Sequence, residues 1–357
     1  MILPYLICLL ISFLVLRLPR GEKLLNKAVT FFASVLGVWF FITSLLYIFT
    51  PALQHQSEVS LLSIGAAWAH GQEIYTPVLD GHRYSQFYGP LSYLLVGFST
   101  WLFGNPLFFA KIPGVLSLWV SFFVLWRVFQ KMQLSQRNIF FLMTIFVGLE
   151  ASYYQLAYSP RPDSYMLLCS CLCLWAVLDK DLSVWKKYLL GGLITGISMS
   201  AKIHGVFYML PLLVHMLLTQ PSLIGLSLSI IAALVAAFGL FLVDGVSLNH
   251  YVLWLREIAR HGLSFQQLLI NITYVLPFAI SLGFLKNQNR TNKIVYGILL
   301  LCSLVIAVFA SKLGAGPNHF IPLFPLFLYI LALVLKNGSI KPVFVTALVL
   351  MGSCMEM

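Results

Sequence analysis

Long apolar runs alternate with short polar breaks along this chain, and the short two-residue alternation of barrel strands is missing. Runs long enough to cross a bilayer, or nearly so, fall at about 1–16, 28–50, 106–126, 138–157, 164–178, 187–201, 204–219, 221–243, 270–285, 294–311, 318–335 and 342–357. They predict an all-α polytopic membrane protein with about 11–12 transmembrane helices. The pieces between 187 and 219 are short for a hydrocarbon core and need tilt or a break. Only helices and closed barrels satisfy their backbone polar groups without water, so a helical bundle is the expected architecture.

Composition agrees with the pattern. Of the 357 residues 60% are hydrophobic and 9% are charged, against about 25% charged in a typical soluble chain. The excess of 22 Lys+Arg over 11 Asp+Glu would suggest nucleic acid in a soluble protein, but much of it falls in short loops and encodes topology. No nucleic-acid partner is expected. All six cysteines lie in apolar segments, and Cys169, Cys171 and Cys173 alternate along one helix, which argues for small buried hydrophobes over disulfides or structural zinc. The N-terminal run "MILPYLICLLISFLVL" has no basic segment before it and no small-residue cleavage site after it, so a retained anchor is expected.

Basic groups orient the bundle. Arg17/Arg20/Lys23/Lys27, Arg127/Lys131/Arg137, Lys180/Lys186/Lys187, Lys286/Arg290/Lys293 and Lys336/Lys341 all face the cytoplasm if residues 90–104 do not cross. "PLSYLLVGFSTWLFG" is therefore expected to be a juxtamembrane helix inside a long non-cytoplasmic loop, 51–105. The whole chain, 1–357, forms one membrane domain, and no soluble C-terminal domain is expected. The acids, histidines, tyrosines and Gly-Pro turns then gather on the outer face: "YSPRPDS", the break at Lys202 and His204, the stretch 244–269 and "SKLGAGPNH".

In "HQSEVSLLSIGAAWAHGQEIY" Ser57 is expected to cap a helix whose first turn carries Glu58, favourably placed against the helix dipole. At helical spacing Glu58 points with Leu61, Leu62 and Gly65, toward membrane or protein. A cap needs no inward acid. A carboxylate near hydrocarbon is costly and calls for a partner or a task.

The loop continues "GQEIYTPVLDGHRYSQFYGPLSYLL". An acid about thirteen residues before "GxxIY", then "YGPLxYLL", "LFG" and a span, resembles the first outer loop of GT-C fold glycosyltransferases. The likeness is to the protein-O-mannosyltransferase-like and lipid A aminoarabinose transferase-like branch. "SPRPDSYMLL", "LGGLITGISMSAKIHGVFYMLPLL" and "GPNHFIPLFPLFLYILAL" resemble that group's later features in the expected order. The family usually has an acid pair or a single Asp at the first position; here Ser57 precedes Glu58.

The resemblance implies a sugar transferase that takes its donor from a polyprenyl or dolichyl phosphate on the non-cytoplasmic face, with Glu58 as base or acceptor-orienting group. Glycan, lipid and protein all stand as acceptors. Sugar transfer from phosphate to hydroxyl needs a base near the nucleophile and positive charge near the leaving phosphate. Asp163 is the second candidate acid, and Arg161, Lys202, Lys312 and His319 are the candidate phosphate groups. His82, Arg83, Tyr84 and Tyr88 are candidates for an acceptor groove, although interfacial tyrosines also serve as plain anchors. Arg256, Arg260 and His261 read as a surface helix on phospholipid, and Asn271-Ile-Thr273 matches a glycosylation sequon. No clustered metal motif occurs; a divalent ion held by Glu58 and Asp163 stands as an alternative without a motif behind it, and the cofactor is left open. The expected location is a bacterial inner membrane, or the endoplasmic reticulum of a eukaryote. A transporter or flippase and an inactive relative are the competing readings; absence of an internal repeat argues against transport.

Overall fold

A computed structural model describes residues 21–53, 55–78, 86–280 and 289–336. The apolar runs at 1–16 and 342–357, and the candidates His82, Arg83 and Tyr84, lie outside the described residues. The helices are α1 (Gly21–Phe49), α2 (Gln56–Ala69), α3 (Pro90–Phe103), α4 (Ile112–Lys131), α5 (Gln136–Ser152), α6 (Pro162–Leu178) and α7 (Val184–Ala201). They continue as α8 (Val206–Thr219), α9 (Leu223–Phe238), α10 (Leu248–Ala259), α11 (Phe265–Ile280), α12 (Arg290–Ala310) and α13 (Phe324–Lys336). Among the described residues five helical stretches are long and apolar enough to cross a membrane: Thr30–Phe49, Leu107–Lys131, Leu223–Leu242, Arg290–Ala310 and Pro317–Lys336. Three apolar helices are shorter: Pro90–Phe103, Pro162–Leu178 and Ile203–Thr219. The protein is a multi-pass membrane protein.

Two burial patterns show which helices face lipid. On α1 the buried Ala33, Leu36, Phe40, Ser44 and Tyr47 recur every three or four residues, while Phe31, Val38, Ile42, Leu46 and Phe49 are exposed. Such an apolar outer face suits hydrocarbon, not water. α6 is buried nearly all round, as is Pro317–Lys336. Cys169, Cys171 and Cys173 are buried together, although they share no face, because α6 has protein on every side.

α7 and α9 meet through small residues. A Cβ on Gly192 would stand 2.2 Å from the Ser229 carbonyl oxygen, so only glycine lets the two backbones approach this closely. α2 packs against α3; at about 1.5 Å per residue a fourteen-residue helix such as α3 falls short of an apolar core about 30 Å thick. Gly104, at φ 78°, ends α3 and donates to the Thr100 carbonyl at 2.7 Å.

Two local expectations change. The N-cap of α2 is His55, whose Nδ1 accepts from the Ser57 N–H at 3.2 Å, while Ser57 lies inside the first turn. Asn271 is fully buried and donates to the Ser311 hydroxyl at 2.9 Å, so the sequon is closed to modification in the folded chain.

Candidate functional site

One end of the bundle collects the polar groups. The extended Arg161 leads into α6, Pro162 opens the helix without needing its missing N–H, and Asp163 sits in the first turn. Asp163 is 1% exposed. Its Oδ1 accepts from Lys202 Nζ at 3.2 Å and its Oδ2 from Asn318 Nδ2 at 2.9 Å. Arg161 Nε stands 3.6 Å from the same Oδ2, an ion pair without a hydrogen bond.

Lys202 comes from the break between α7 and α8, where its backbone is extended (φ −158°, ψ 127°). Besides Asp163 it meets His319 Nε2 at 3.1 Å, and its ammonium lies 5.6 Å from the centre of the Tyr88 ring. An ammonium only donates, so Nε2 accepts and Nδ1 carries the imidazole proton, donated to the Gly316 carbonyl at 2.9 Å. Tyr208 donates to the His319 carbonyl at 2.9 Å, and the His204 ring stacks between His319 and Phe309. Burial opposes the charge of Arg161, but Tyr88, Asp163 and Glu58 outweigh it and hold the guanidinium more firmly protonated than usual.

Gly89 brings the first loop to this place. Its N–H donates to the Ala201 carbonyl at 2.9 Å, and a Cβ there would stand 2.1 Å from the Ser200 oxygen. A side chain at position 89 would push Tyr88 off Lys202. Tyr88 is therefore a buried wall of the cluster, packed with Phe87 and Tyr93.

Glu58 is fully buried in the first turn of α2, inward as its spacing predicts. It lies within electrostatic reach of Arg161, Tyr47 and Lys111. Arg161 thus stands between the two acids and joins them. His55, beside Arg161, is less easily protonated than usual, through partial burial and then the guanidinium charge.

The structure gathers Glu58, Tyr88, Arg161, Asp163, Lys202 and His319. Lys312 stands apart: it donates to the Ile258 carbonyl at 3.3 Å, at the end of α10, and its charge bears on His204. Among the described residues no three His, Cys, Asp or Glu side chains could hold a metal ion. Sequence reasoning passed over Asn318 and Lys111. Asn318 stands beside His319 in "GPNHF", where the ionisable neighbour is the more distinctive residue. Lys111 lies within the apolar run 106–126, and a lone charge there was the available signal.

Residues 88–247 match the model of the family described as Dolichyl-phosphate-mannose-protein mannosyltransferase. That stretch holds Tyr88, Lys111, Arg161, Asp163 and Lys202, and leaves Glu58 and His319 outside. The fold is that of ArnT from Cupriavidus metallidurans. The apo structure superposes with a TM-score of 0.59 at 17% identity, covering 85% of this chain and 60% of that one. A structure of the same protein bound to undecaprenyl phosphate has the same TM-score and identity, covering 87% of this chain and 60% of that one. This chain thus spans about 60% of the length of the solved protein it resembles. No curated protein matches it by sequence.

Proposed function

We propose that this chain is an integral membrane glycosyltransferase that moves a sugar from a polyprenyl-phosphate carrier to an acceptor hydroxyl on the non-cytoplasmic face. The observation that carries the proposal is the buried polar cluster, where two cations, Arg161 and Lys202, both pair with one carboxylate, Asp163, and Glu58 stands within charge reach of Arg161. A surplus of buried positive charge is expensive unless an anion completes it, and a phosphate does so. The family match over 88–247 and the ArnT fold, also solved with undecaprenyl phosphate, support the same ligand class.

The two acids divide the work. Both oxygens of Asp163 already accept hydrogen bonds, from Lys202 and Asn318, so its role is to hold those donors in place. Glu58 is then the base. In the transfer step its carboxylate takes the hydroxyl proton as the acceptor oxygen attacks the anomeric carbon. The bond from that carbon to the phosphate oxygen breaks, and Arg161 and Lys202 stabilise the charge left on the phosphate. His319 supports the reading by offering Lys202 a neutral partner when the ammonium turns toward the ligand. Mass spectrometry of envelope glycolipids and glycoproteins tests the proposal in cells with the chain, without it and with Glu58→Gln. A sugar modification present only with the intact chain is expected. Identical glycan profiles in all three would refute the proposal.

A further inference from the structure

We propose that Lys111 is a positioning residue for Glu58: its ammonium clamps the chain between α1 and α2 and, through Tyr47, fixes where the Glu58 carboxyl stands. This rests on the reading of Glu58 as the base. Lys111 immediately precedes α4 and is completely buried. Its Nζ donates to the carbonyls of Tyr47 at 3.2 Å, Thr50 at 2.5 Å and Ala52 at 3.1 Å. Three ammonium hydrogens therefore meet three carbonyls around the C-terminal end of α1, where backbone acceptors lack helical partners and the dipole favours a cation.

An end cap alone would not require full burial, since water, glycine or a surface lysine also serves a helix terminus. The surroundings of the clamp supply the further reason. The ammonium lies 4.5 Å from the centre of the Tyr47 ring, and that buried tyrosine is within electrostatic reach of Glu58. Lys111 is itself within charge reach of Glu58. From the other direction His55 caps α2 three residues before Glu58, and Leu53 packs on Leu62, Val96 and Ala110. The chain from Tyr47 to Glu58 is thereby pinned at its start by Lys111 and at its end by the α2 cap.

The test uses Lys111→Met, Lys111→Arg and Tyr47→Phe in the full chain, each with Glu58 intact and with Glu58→Gln. Hydrogen exchange of residues 47–58, binding of undecaprenyl phosphate and the rate of sugar transfer are measured. Lys111→Met should speed exchange in this segment tenfold or more and leave undecaprenyl phosphate binding within about twofold. It should lower turnover about 10- to 100-fold, the scale on which a misplacement of about 1 Å acts. Lys111→Arg should restore most of the turnover. In the Glu58→Gln background Lys111→Met should cost less than about twofold more, because the group it positions is already disabled. Tyr47→Phe keeps the clamp and should lower turnover alone, which preserves the test if Lys111→Met does not fold. Unchanged exchange, or equal fractional losses in both backgrounds, would overturn the proposal. Normal transfer by Glu58→Gln would instead remove the base assignment, and the exchange data would still decide the clamp.

Discussion

The two ends of α6 carry the same chemistry in opposite settings. At the N-terminal end Asp163 is buried and held by Lys202 and Asn318, with Arg161 beside it. Just past the C-terminal end Asp179 pairs with Lys131, whose side chain is 37% exposed, and accepts from the Asp181 N–H at 2.8 Å. Lys336, at the same end, donates to the Met132 carbonyl at 3.0 Å. There the lysines answer carbonyls and dipoles at helix C-termini, and a half-exposed pair is enough. At the other end the cations exceed what helix termini require and are sealed from water. The charge left over after structural needs are met is what supports the proposed ligand site at this end.

The strongest challenge to that contrast is Glu58→Gln. The amide keeps the volume and the fold, and transfer should fall about 10²–10⁴-fold, the usual loss of a general base. Turnover of the purified variant checks it, and a well-folded variant with normal turnover would return Glu58 to a dipole role. Next is Asp163→Asn, which leaves Lys202 and Arg161 buried without their counter-ion. A loss of about 3–5 kcal/mol of stability, or failure to fold, is expected. Thermal unfolding in detergent measures it; a loss under about 1 kcal/mol would mean water reaches the cluster. Lys202→Gln should weaken undecaprenyl phosphate binding by about 1.5–3 kcal/mol, the worth of hydrogen bonds to charge, while native mass spectrometry follows occupancy. Arg161 would be the main phosphate group if binding did not change.

Much of this end was legible in the sequence. The acid in the first outer loop, the Arg-Pro-Asp start of α6, the Lys202 break and His319 were each distinctive against apolar surroundings, and all converge. The apolar runs gave a polytopic helical bundle, and the resemblance of the loop motifs to GT-C glycosyltransferases pointed to the ArnT-like fold. What stayed hidden depends on distance in space. Nothing local pairs Asn318 with Asp163, 155 residues away, or Lys111 with the end of α1. Ser57 looked like the better cap because Ser is the commoner capping residue, whereas the helix begins two residues earlier and histidine supplies the acceptor. The sequon could not be judged without burial, since an asparagine in an apolar helix can face lipid, solvent or, as here, a neighbouring helix.

The smallest effect belongs to Asp179. Burial alone would raise its carboxyl, but the Lys131 hydrogen bond, the Asp181 and Leu182 N–H groups and the Lys131 charge outweigh it and hold it below the ordinary carboxylate range. A folded-state value below the unfolded one means that the unfolded chain binds more protons between the two. The pair's contribution is therefore complete above the unfolded value, about pH 3.9, and is lost as pH falls through the lowered folded value. With Lys131 more than one-third exposed, Asp179→Asn should cost no more than about 1 kcal/mol at pH 7 and leave transfer unchanged. As the pH is lowered through this window the difference in unfolding temperature between variant and wild type should shrink, because the wild-type carboxyl is then being neutralised. Subtracting one protein from the other cancels the other acids, including Asp163. A variant that lost several kcal/mol at pH 7, or lost transfer, would show that the Asp179 end is as tightly built as the Asp163 end, and the contrast between them would fail.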